Sequence, residues 1–499
     1  MGGLAAALRL SAAGLRVTLY ERAQAAGGKL RSVEVGGQAI DAGPTVVTMP
    51  HVFAELFDSA GARLEDVLTL APVEPACRHF FADGSRLDTW NDRARSREAI
   101  AALCGEAEAR GFDAFCDHAA RIFSHVRGTF LEQPAPTSML GMLKPSLLLS
   151  LPGLLHIDAR RSLWTALSSF FRDPRLRMLF GRYATYNGSS PMHAPATLSV
   201  IAHVEQVFGI HAIAGGIGRL AEALCALAGE RGAVIHTGAE VERVLCDGKR
   251  VVGVSVAGER VAADAVVVNC DALHLYRRLL AAEPGAAPAA DRLSRLEPSL
   301  SAFLMLATAP ASDFPLVHHN VFFSSDYPRE FDELIGRGAP PEDPTVYLCA
   351  SDRAPGAASA AVERHLLLTN APATAAERQP ETVDWDDEAP RCRGRMVETL
   401  RRCGLDYRPS AERLVTPAEM ARLFPSSRGA IYGASSNSRT AAFERPPNRV
   451  PGWRGLYCVG GSAHPGAGLP MVVMSARIAC GLLLSDLGQR AVVAAAGPR

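Results

Sequence analysis

The sequence of 499 residues has no uninterrupted run of eighteen or more apolar residues. A transmembrane helix needs roughly 20 predominantly apolar residues, so no confident membrane-spanning helix is predicted. The N-terminus also lacks a charged region followed by a short apolar run, which argues against a secretory signal peptide. The nearest apolar segment, 138–157, is broken by Lys144, Pro145, Pro152 and Gly153. It is interpreted either as a buried loop and helix, or as a surface that enters a membrane or lines an apolar tunnel.

An excess of charge of one sign is also absent, since 52 basic and 52 acidic residues give a formal net charge of zero. The sequence therefore has no electrostatic signature of a nucleic-acid partner. Lysine is scarce, and Lys29 is one of only three. The eleven cysteines include no C-x-x-C pair and lie in apolar or helical runs. They indicate a reducing, cytoplasmic environment and argue against a disulfide framework or a metal site.

The first forty-five residues contain most parts of a dinucleotide-binding unit. An Ala-rich helix is predicted from Gly3 to Ala13, followed by a strand over 15–20 and then by Glu21. Such a unit needs a buried strand, G-x-G-x-x-G, a helix, and a second strand that ends in an acidic residue for a ribose hydroxyl. Gly3 takes the place of the third glycine, and Gly2 precedes it. The first strand and the first two glycines of the motif are missing.

Two short segments downstream extend this unit. Residues 27–31, Gly-Gly-Lys-Leu-Arg, offer two flexible positions and the cations Lys29 and Arg31 for a pyrophosphate. Residues 41–45, Asp-Ala-Gly-Pro-Thr, predict a tight turn. The alternative is a surface turn with unrelated charges, but the paired glycines and the order of the parts favour a phosphate site.

The second and third parts of the same domain follow much later in the chain. Residues 214–269 are predicted to form a helix, a strand, a hairpin and the apolar strand 265–269. Residues 455–487 form a buried strand, the glycines Gly460 and Gly461, and a helix that begins near Pro470. The N-terminus of a helix stabilises negative charge, which a reduced flavin develops and a reduced nicotinamide does not. This unit therefore favours FAD over NAD.

A substrate region is thus inserted between the parts of a split cofactor domain. The predicted boundaries are 1–75, 206–280 and 436–499 for the cofactor domain, with substrate regions at 76–205 and 281–435. Strands are expected at 76–90, 301–307, 320–323, 345–349 and 366–370, and helices between 162 and 208. Residues 370–390 are expected to be an exposed loop, followed by a helix over 391–403.

These motifs resemble the bacterial carotenoid (phytoene-type) desaturases of the flavin amine oxidase superfamily. The resemblance covers essentially the whole chain, and the segment His464-Pro465-Gly466-Ala467-Gly468-Leu469-Pro470 is its most specific part. Residues 181–191 and 194–197 resemble more narrowly the hydroxyneurosporene (methoxyneurosporene) dehydrogenases, which are 1-hydroxycarotenoid 3,4-desaturases. The family's first strand and its G-x-G are not present before Met1. Either the start was placed too late or the product is truncated, and weak FAD binding is expected of the chain as written.

The resemblance implies an α/β fold with a split Rossmann-like FAD-binding domain and an inserted mixed-sheet and helical substrate domain. It implies FAD as cofactor, an acyclic carotenoid as substrate, a quinone or oxygen as electron acceptor, and a cytoplasmic protein held peripherally on the inner membrane. The cofactor-binding residues predicted from the motifs and the resemblance are Gly2, Gly3, Glu21, Arg22, Gly28, Lys29, Arg31, Gly43, Pro44, Thr45, Val241, Gly460, Gly461, His464, Gly468, Pro470 and Met471.

The residue that accepts the substrate proton is left open. His318 and His319 are candidates, although a histidine in an apolar run is more often a structural residue. His464 is expected to brace the cofactor turn near the flavin, and Asp352 and Arg353 fit either a substrate contact or an ion pair. The alternative functions are a phytoene desaturase, a carotenoid isomerase and a non-enzymatic isoprenoid-binding protein. An amine oxidase is disfavoured, because the middle of the chain shows no evident aromatic cage.

Overall fold

The structure, a computed structural model, describes residues 1–135, 157–375, 383–438 and 440–488. The predicted apolar segment 138–157 lies outside these residues except for its last position. The α-helices of the described part are Gly2–Ala12, Pro50–Asp58, Leu64–Val67, Arg93–Cys104, Glu106–Val126, Leu163–Phe170, Pro174–Gly181, Val200–Phe208, Gly218–Glu230, Ala272–His274, Ala286–Ser294, Tyr327–Phe331, Trp385–Arg402, Pro417–Leu423, Ala441–Glu444 and Leu469–Asp486. Short 3-10 segments are Arg182–Asn187, Ala196–Ser199 and Ser351–Arg353, and π-helical turns are Arg127–Leu131, Leu275–Leu279 and Asp332–Gly336.

The N-terminal helix Gly2–Ala12 lies at the centre of the first hydrophobic core. Its small alanines allow close packing against two other helices, Gly218–Glu230 and Leu469–Asp486. Leu8 is fully buried in this contact. Gly14 follows the helix with a φ of 86°, a conformation that favours glycine and ends the helix where the sequence predicts.

Two parallel strand pairs confirm the split dinucleotide-binding arrangement. Thr18–Glu21 pairs with Val234–Thr237, and Val266–Val268 pairs with Leu456–Cys458. Parallel strands need a crossover connection, and here the connections span whole inserted regions. The central strand expected between these pairs is not among the described residues, and within them the two pairs are not hydrogen-bonded to each other.

The predicted hairpin is part of a three-stranded antiparallel sheet. Arg250–Val256 lies in the middle, between Val241–Asp247 and Glu259–Ala262. The Asp-Gly and Ala-Gly dipeptides at 247–248 and 257–258 supply the tight turns.

The two inserted regions meet in one seven-stranded sheet, which the sequence did not predict. Cys77–Phe80 from the first insertion pairs in parallel with His319–Phe322 from the second. Ser301–Pro310 and Val362–Ala371 form its longest ladder, with ten residue pairs. The full strand order is Ala411–Val415, Ser301–Pro310, Val362–Ala371, Val346–Ala350, His319–Phe322, Cys77–Phe80 and Arg86–Thr89. The predicted domain boundaries stay a prediction.

Aromatic side chains build the core of the helical layer beside this sheet. Phe112, Phe115, Phe171 and Phe180 are almost fully buried, and the rings of Phe171 and Phe180 stack at 5.0 Å. Aromatic pairs of this kind contribute beyond their buried area. The packing of this layer holds the helices Leu163–Phe170 and Pro174–Gly181, which directly precede residues 182–205, in position.

The helix predicted for 391–403 begins earlier, at Trp385, so the prediction of a loop up to Pro390 is wrong. The Asp384 carboxylate accepts a hydrogen bond from the backbone N–H of Asp386 and caps the helix. Trp385 is buried against the seven-stranded sheet, and this packing offsets the unfavourable Pro390 within the helix.

One described helix, Leu469–Asp486, is long and apolar enough to cross a membrane by length and composition alone. Most of its residues are buried, and it packs on the helix Gly2–Ala12. Burial of this kind is typical of a core helix in a globular domain.

Candidate active site

A cavity of about 2340 Å³ joins the cofactor domain to the substrate region. Typical ligand pockets occupy roughly 300 to 1,000 Å³, so this cavity has room for more than one ligand. One wall consists of the dinucleotide-binding segments, and the other of residues 182–205 and the seven-stranded sheet. Residues 182–205 belong to the region in which the sequence predicts helices.

All but one of the predicted cofactor-binding residues line this cavity. They are Gly2, Gly3, Glu21, Arg22, Gly28, Lys29, Arg31, Gly43, Pro44, Thr45, Val241, Gly460, Gly461, Gly468, Pro470 and Met471. Their contact with the cofactor stays a prediction. The exception is His464, whose side chain is buried below the loop and does not reach the cavity wall.

His464 therefore lies away from the position expected beside the flavin. Its Nε2 lies 2.8 Å from the carbonyl oxygen of Gln133, and its ring packs edge-on against Phe130 at 4.9 Å. The Asn448 side chain also donates a hydrogen bond to the His464 carbonyl. His464 thus connects the cofactor loop to the end of the first helical region, which is a bracing role without a cavity contact.

Gly43 requires the absence of a side chain. A Cβ atom at this position would lie 1.9 Å from the carbonyl oxygen of Lys29. The turn that carries Pro44 and Thr45 therefore packs directly on the glycine-rich segment that carries Lys29. The two segments that the sequence analysis placed near a pyrophosphate are in backbone contact.

Asn269 is a residue that sequence reasoning missed. Its Oδ1 accepts a hydrogen bond from the Gly3 backbone N–H at 2.7 Å, and its Nδ2 donates to the Val459 carbonyl at 3.1 Å. A Cβ atom at Gly460 would lie 2.3 Å from Asn269 Nδ2. One amide thus connects all three parts of the split domain. Its place directly after the apolar strand 266–268 was the available signal, because polar residues at strand ends often form binding sites.

Glu21 and Arg22 lie together at the end of the second strand but have different partners. Glu21 Oε1 accepts a hydrogen bond from the Ala23 backbone N–H at 2.8 Å, and the residue borders the cavity. Arg22 Nη2 donates to the carbonyls of Arg422 and Leu423 at 3.0 and 2.6 Å. These carbonyls end a helix and need donors, so Arg22 has a structural role in addition to its predicted cofactor contact.

Positive charge collects where the glycine-rich segments meet. Lys29 Nζ donates to the Ile431 carbonyl at 2.6 Å, and burial lowers its pKa to about 8 although Asp271 opposes the shift. Burial also lowers the pKa of Arg445 to about 10. Arg31 Nη2 is buried and has no hydrogen-bond partner among the described residues. An anion would satisfy these groups.

The affinity for FAD is expected to fall as the pH rises above about 8. Below this pH the Lys29 ammonium is present before binding, whereas above it an anionic ligand must bind together with a proton. We expect the dissociation constant to increase about tenfold over the next unit or two of pH, because an adjacent anion typically shifts a pKa by ~1 to 3 units. Titration of the apoprotein with FAD at several pH values measures this.

The matched variants for this titration are Lys29→Met and Lys249→Met. Lys249 is exposed in a hairpin turn outside the cavity lining, so its variant should keep the wild-type pH profile. Lys29→Met should bind FAD weakly and with little pH dependence over this range. A wild-type profile in Lys29→Met would contradict the role of the ammonium.

The other candidates for substrate contact or proton transfer are Asp352, Arg353, His318 and His319, and they lie in two different parts of the structure. Asp352 pairs with Arg364 and Arg353 pairs with Glu363, so each forms an ion pair and neither lines the cavity. His318 Nδ1 lies 2.9 Å from the Ala350 carbonyl in the buried sheet. His318, His319 and Cys349 each have one potential metal-ligand atom, and these three atoms lie within 4.8 Å of one another. The expectation that the protein has no metal site stays a prediction.

His319 is connected to the cavity through two side chains. Its Nδ1 lies 2.7 Å from the Tyr347 hydroxyl, which lies 2.7 Å from Thr45 Oγ1. Tyr347 and Thr45 line the cavity, whereas His319 is 1% exposed. Burial lowers the pKa of His319 well below its ordinary value, which keeps the imidazole neutral.

A second polar group faces the same cavity from residues 182–205. Arg182 Nη2 donates to the Tyr186 hydroxyl at 3.0 Å, and the Tyr183 hydroxyl donates to Glu205 Oε2 at 2.8 Å. Tyrosines also reach the cavity from other segments: the cavity-lining tyrosines include Tyr186, Tyr327, Tyr347 and Tyr432. These four tyrosines come from separate parts of the chain.

The site as a whole fits FAD. It combines an acidic residue at a strand end, close backbone contacts at Gly43 and Gly460, and an unpartnered Arg31 guanidinium. The helix that begins at Leu469 also points its N-terminal turn at the cavity through Pro470 and Met471.

Comparison with known proteins decides the family. The family described as "Flavin containing amine oxidoreductase" matches residues 1–484. The chain belongs to this family. It is therefore an FAD-dependent oxidoreductase, and the predicted fold class and cofactor are confirmed.

Relatives within the family narrow the resemblance. The chain is 44% identical to "Hydroxyneurosporene desaturase" of Rubrivivax gelatinosus, over 98% of this chain and 92% of the relative. It is 30% identical to "1-hydroxycarotenoid 3,4-desaturase" of Flavobacterium sp. (strain P99-3), over 97% of each. Among solved structures, a putrescine oxidase variant matches with a TM-score of 0.63 and 15% identity, covering 98% of this chain and 96% of that chain. This last likeness shows the fold alone.

Proposed function

We propose that this flavoprotein is a carotenoid desaturase that introduces a C=C bond at the 3,4 position of an acyclic carotenoid hydroxylated at carbon 1. The observation that carries the proposal is the 44% identity with a hydroxyneurosporene desaturase across nearly the whole chain. The size of the cavity supports the proposal, because a desaturase has to hold a long polyene and a dinucleotide at the same time. Apolar side chains such as Leu304, Leu366 and Leu368 line its substrate side.

Desaturation breaks two C–H bonds on adjacent carbons and forms the second bond between those carbons. Bound FAD supplies the acceptor for the hydride, with its two electrons. The remaining proton needs a base at the cavity wall. An apolar cavity excludes water, so that base has to come from the protein or to be reached through it.

Tyr347 and His319 are the proposed route for this proton. The Tyr347 oxygen takes the proton from the substrate carbon while its own hydroxyl proton passes to His319 Nδ1. The 2.7 Å contact between these atoms supports such a transfer. The neutral His319 imidazole offers a free lone pair for the proton, and because burial lowers the pKa of His319, the imidazolium is short-lived and passes the proton on. Thr45 Oγ1 keeps the Tyr347 hydroxyl in place.

Entry of the polyene from a membrane surface is part of the proposal. Phe443 is 53% exposed and also lines the cavity, so it marks an opening. The centres of the Phe443 and Phe130 rings are 6.1 Å apart. An apolar opening suits a substrate that dissolves in lipid, and it supports a cytoplasmic protein held peripherally on the inner membrane. A quinone in that membrane or oxygen is the proposed electron acceptor.

The proposal is tested with purified protein, FAD and a 1-hydroxylated acyclic carotenoid in lipid vesicles, in the presence of a quinone. Product analysis by mass spectrometry should show the loss of two hydrogens, and NMR should place the new bond at carbons 3 and 4. An unchanged mass with altered geometry would support an isomerase, and a gain of oxygen an oxygenase. Binding of the polyene without flavin or reaction would support the carrier alternative.

A further inference from the structure

A polar cluster interrupts the apolar wall of the substrate cavity. Arg182, Tyr186 and Glu205 line the cavity from the 3-10 segment Arg182–Asn187 and the helix Val200–Phe208. Polar groups in an apolar cavity are costly unless they are paired. Such a cluster is therefore expected either to form a closed network or to receive a polar group from the ligand.

This network is not closed. Glu205 Oε1 and Arg182 Nε are buried and have no hydrogen-bond partner in the described part of the chain. Arg182 makes one hydrogen bond there, through Nη2 to the Tyr186 hydroxyl. Glu205 Oε2 accepts a hydrogen bond from the Tyr183 hydroxyl. The cluster thus keeps both a donor and an acceptor capacity, which is the combination that an alcohol can satisfy.

The charge state of the cluster also favours a neutral polar ligand. Burial raises the pKa of Glu205, while Arg182 and the hydroxyls of Tyr183 and Tyr186 oppose the shift. The positive charge of Arg182 favours the ionised form of Glu205, although the two side chains form no ion pair. A carboxylate or an amine would add an unpaired charge to this balance, whereas a hydroxyl adds none.

The cluster lies near the cofactor segments. Gly188, which directly follows the 3-10 segment Arg182–Asn187, packs on the Tyr432 ring, since a Cβ atom at Gly188 would lie 2.9 Å from Tyr432 Cδ2. The Tyr432 carbonyl accepts a hydrogen bond from Arg445 Nη1 at 3.1 Å, and Arg445 Nη1 also donates to the Gly461 carbonyl. In a 3,4-desaturation, the carbon that carries the hydroxyl lies only two bonds from the reacting carbons. A hydroxyl subsite is therefore needed next to the cofactor loop.

We infer that Arg182, Tyr186 and Glu205 form the subsite for the end-group hydroxyl and select hydroxylated over non-hydroxylated polyenes. The inference rests on the proposed desaturase function and names its specificity-determining residues. Without the hydroxyl, the cavity polar groups stay unpaired when the polyene displaces water. Sites built to bond a hydroxyl reject analogues that lack it by about 10⁴- to 10⁵-fold. A preference of about 100-fold is expected here, because the cluster retains its internal bonds.

The experiment compares a 1-hydroxylated polyene with its non-hydroxylated and O-methylated counterparts on the FAD-loaded protein in vesicles. Binding is read from the shift of the polyene absorbance, and kcat/KM from product formation. The variants are Tyr186→Phe and Glu205→Gln. The control is Tyr276→Phe, which is buried in a separate core and does not line the cavity.

In the wild type and the control, the hydroxylated polyene should bind best and the methyl ether about tenfold more weakly, because the ether cannot donate to Glu205. Both variants should reduce the preference for the hydroxylated over the non-hydroxylated polyene at least tenfold. An unchanged preference in both variants, or equal wild-type binding of all three polyenes, would overturn the inference. If the variants do not fold, the binding of the three polyenes to the wild type still tests whether the cavity has a subsite for the hydroxyl. Equal desaturation of all three polyenes leaves the desaturase function intact, whereas no desaturation of any polyene removes that function itself.

Discussion

Tyr347→Phe is expected to lower the turnover of the polyene about 100-fold while the protein keeps its flavin. General acid–base groups contribute typically 10²- to 10⁴-fold to a rate, and the substitution removes only the hydroxyl that connects the cavity to His319. The ring remains to fill the wall and to stack on His319, with ring centres 6.0 Å apart. The fold should therefore survive the change.

The measurement is the single-turnover rate of flavin reduction by the polyene, with flavin content from absorbance. Tyr276→Phe removes a hydroxyl from a buried tyrosine outside the cavity and should leave the rate unchanged. A His319→Gln variant should slow the reaction in the same way, because its amide cannot hold the proton. Full turnover in Tyr347→Phe would remove this side chain from the proton route.

Gly43→Ala is expected to abolish stable FAD binding. The added methyl group would lie 1.9 Å from the Lys29 carbonyl oxygen, which is backbone and cannot rotate away. Forced overpacking of this kind costs about 1 to 3 kcal/mol of folding stability. The clash can be removed only if the segment that carries Lys29 moves away from the segment that carries Thr45. The purified variant should therefore contain little flavin and should unfold at a lower denaturant concentration.

Gly481→Ala is the matched control. Apart from its chain neighbours and the nearby backbone of its own helix, no described heavy atom lies within 4 Å of a Cβ at this position. Alanine is favoured over glycine in a helix by ~1 kcal/mol, so this variant should be as stable as the wild type or slightly more stable, with full flavin content. Normal flavin content in Gly43→Ala would show that the contact between the two segments does not shape the cofactor site.

The cofactor domain was largely predictable, because its signals are local. The helix Gly2–Ala12, the strand before Glu21, the hairpin and the helix after Pro470 each have a pattern within ten to twenty residues. Their assembly into one domain followed from the required order of parts. The glycines marked close backbone contacts, and Gly43 shows such a contact.

The substrate side was less predictable, because its geometry depends on long-range pairing. The parallel contact between Cys77–Phe80 and His319–Phe322 joins strands from two insertions and leaves no pattern in either. Arg182 and Glu205 come together only when the 3-10 segment packs on its neighbouring helix. His464 was recognised from its motif as a brace of the cofactor turn, but its partner, the Gln133 carbonyl oxygen at 2.8 Å, could not be predicted. Its contact with the cofactor stays a prediction.

The most direct test of the desaturase account is an anaerobic titration of the FAD-loaded protein with the 1-hydroxylated polyene. The account predicts that the oxidised flavin absorbance bleaches in proportion to the 3,4-double bonds formed, one flavin for each bond. Product formation without bleaching, or bleaching without loss of two hydrogens from the polyene, would contradict it.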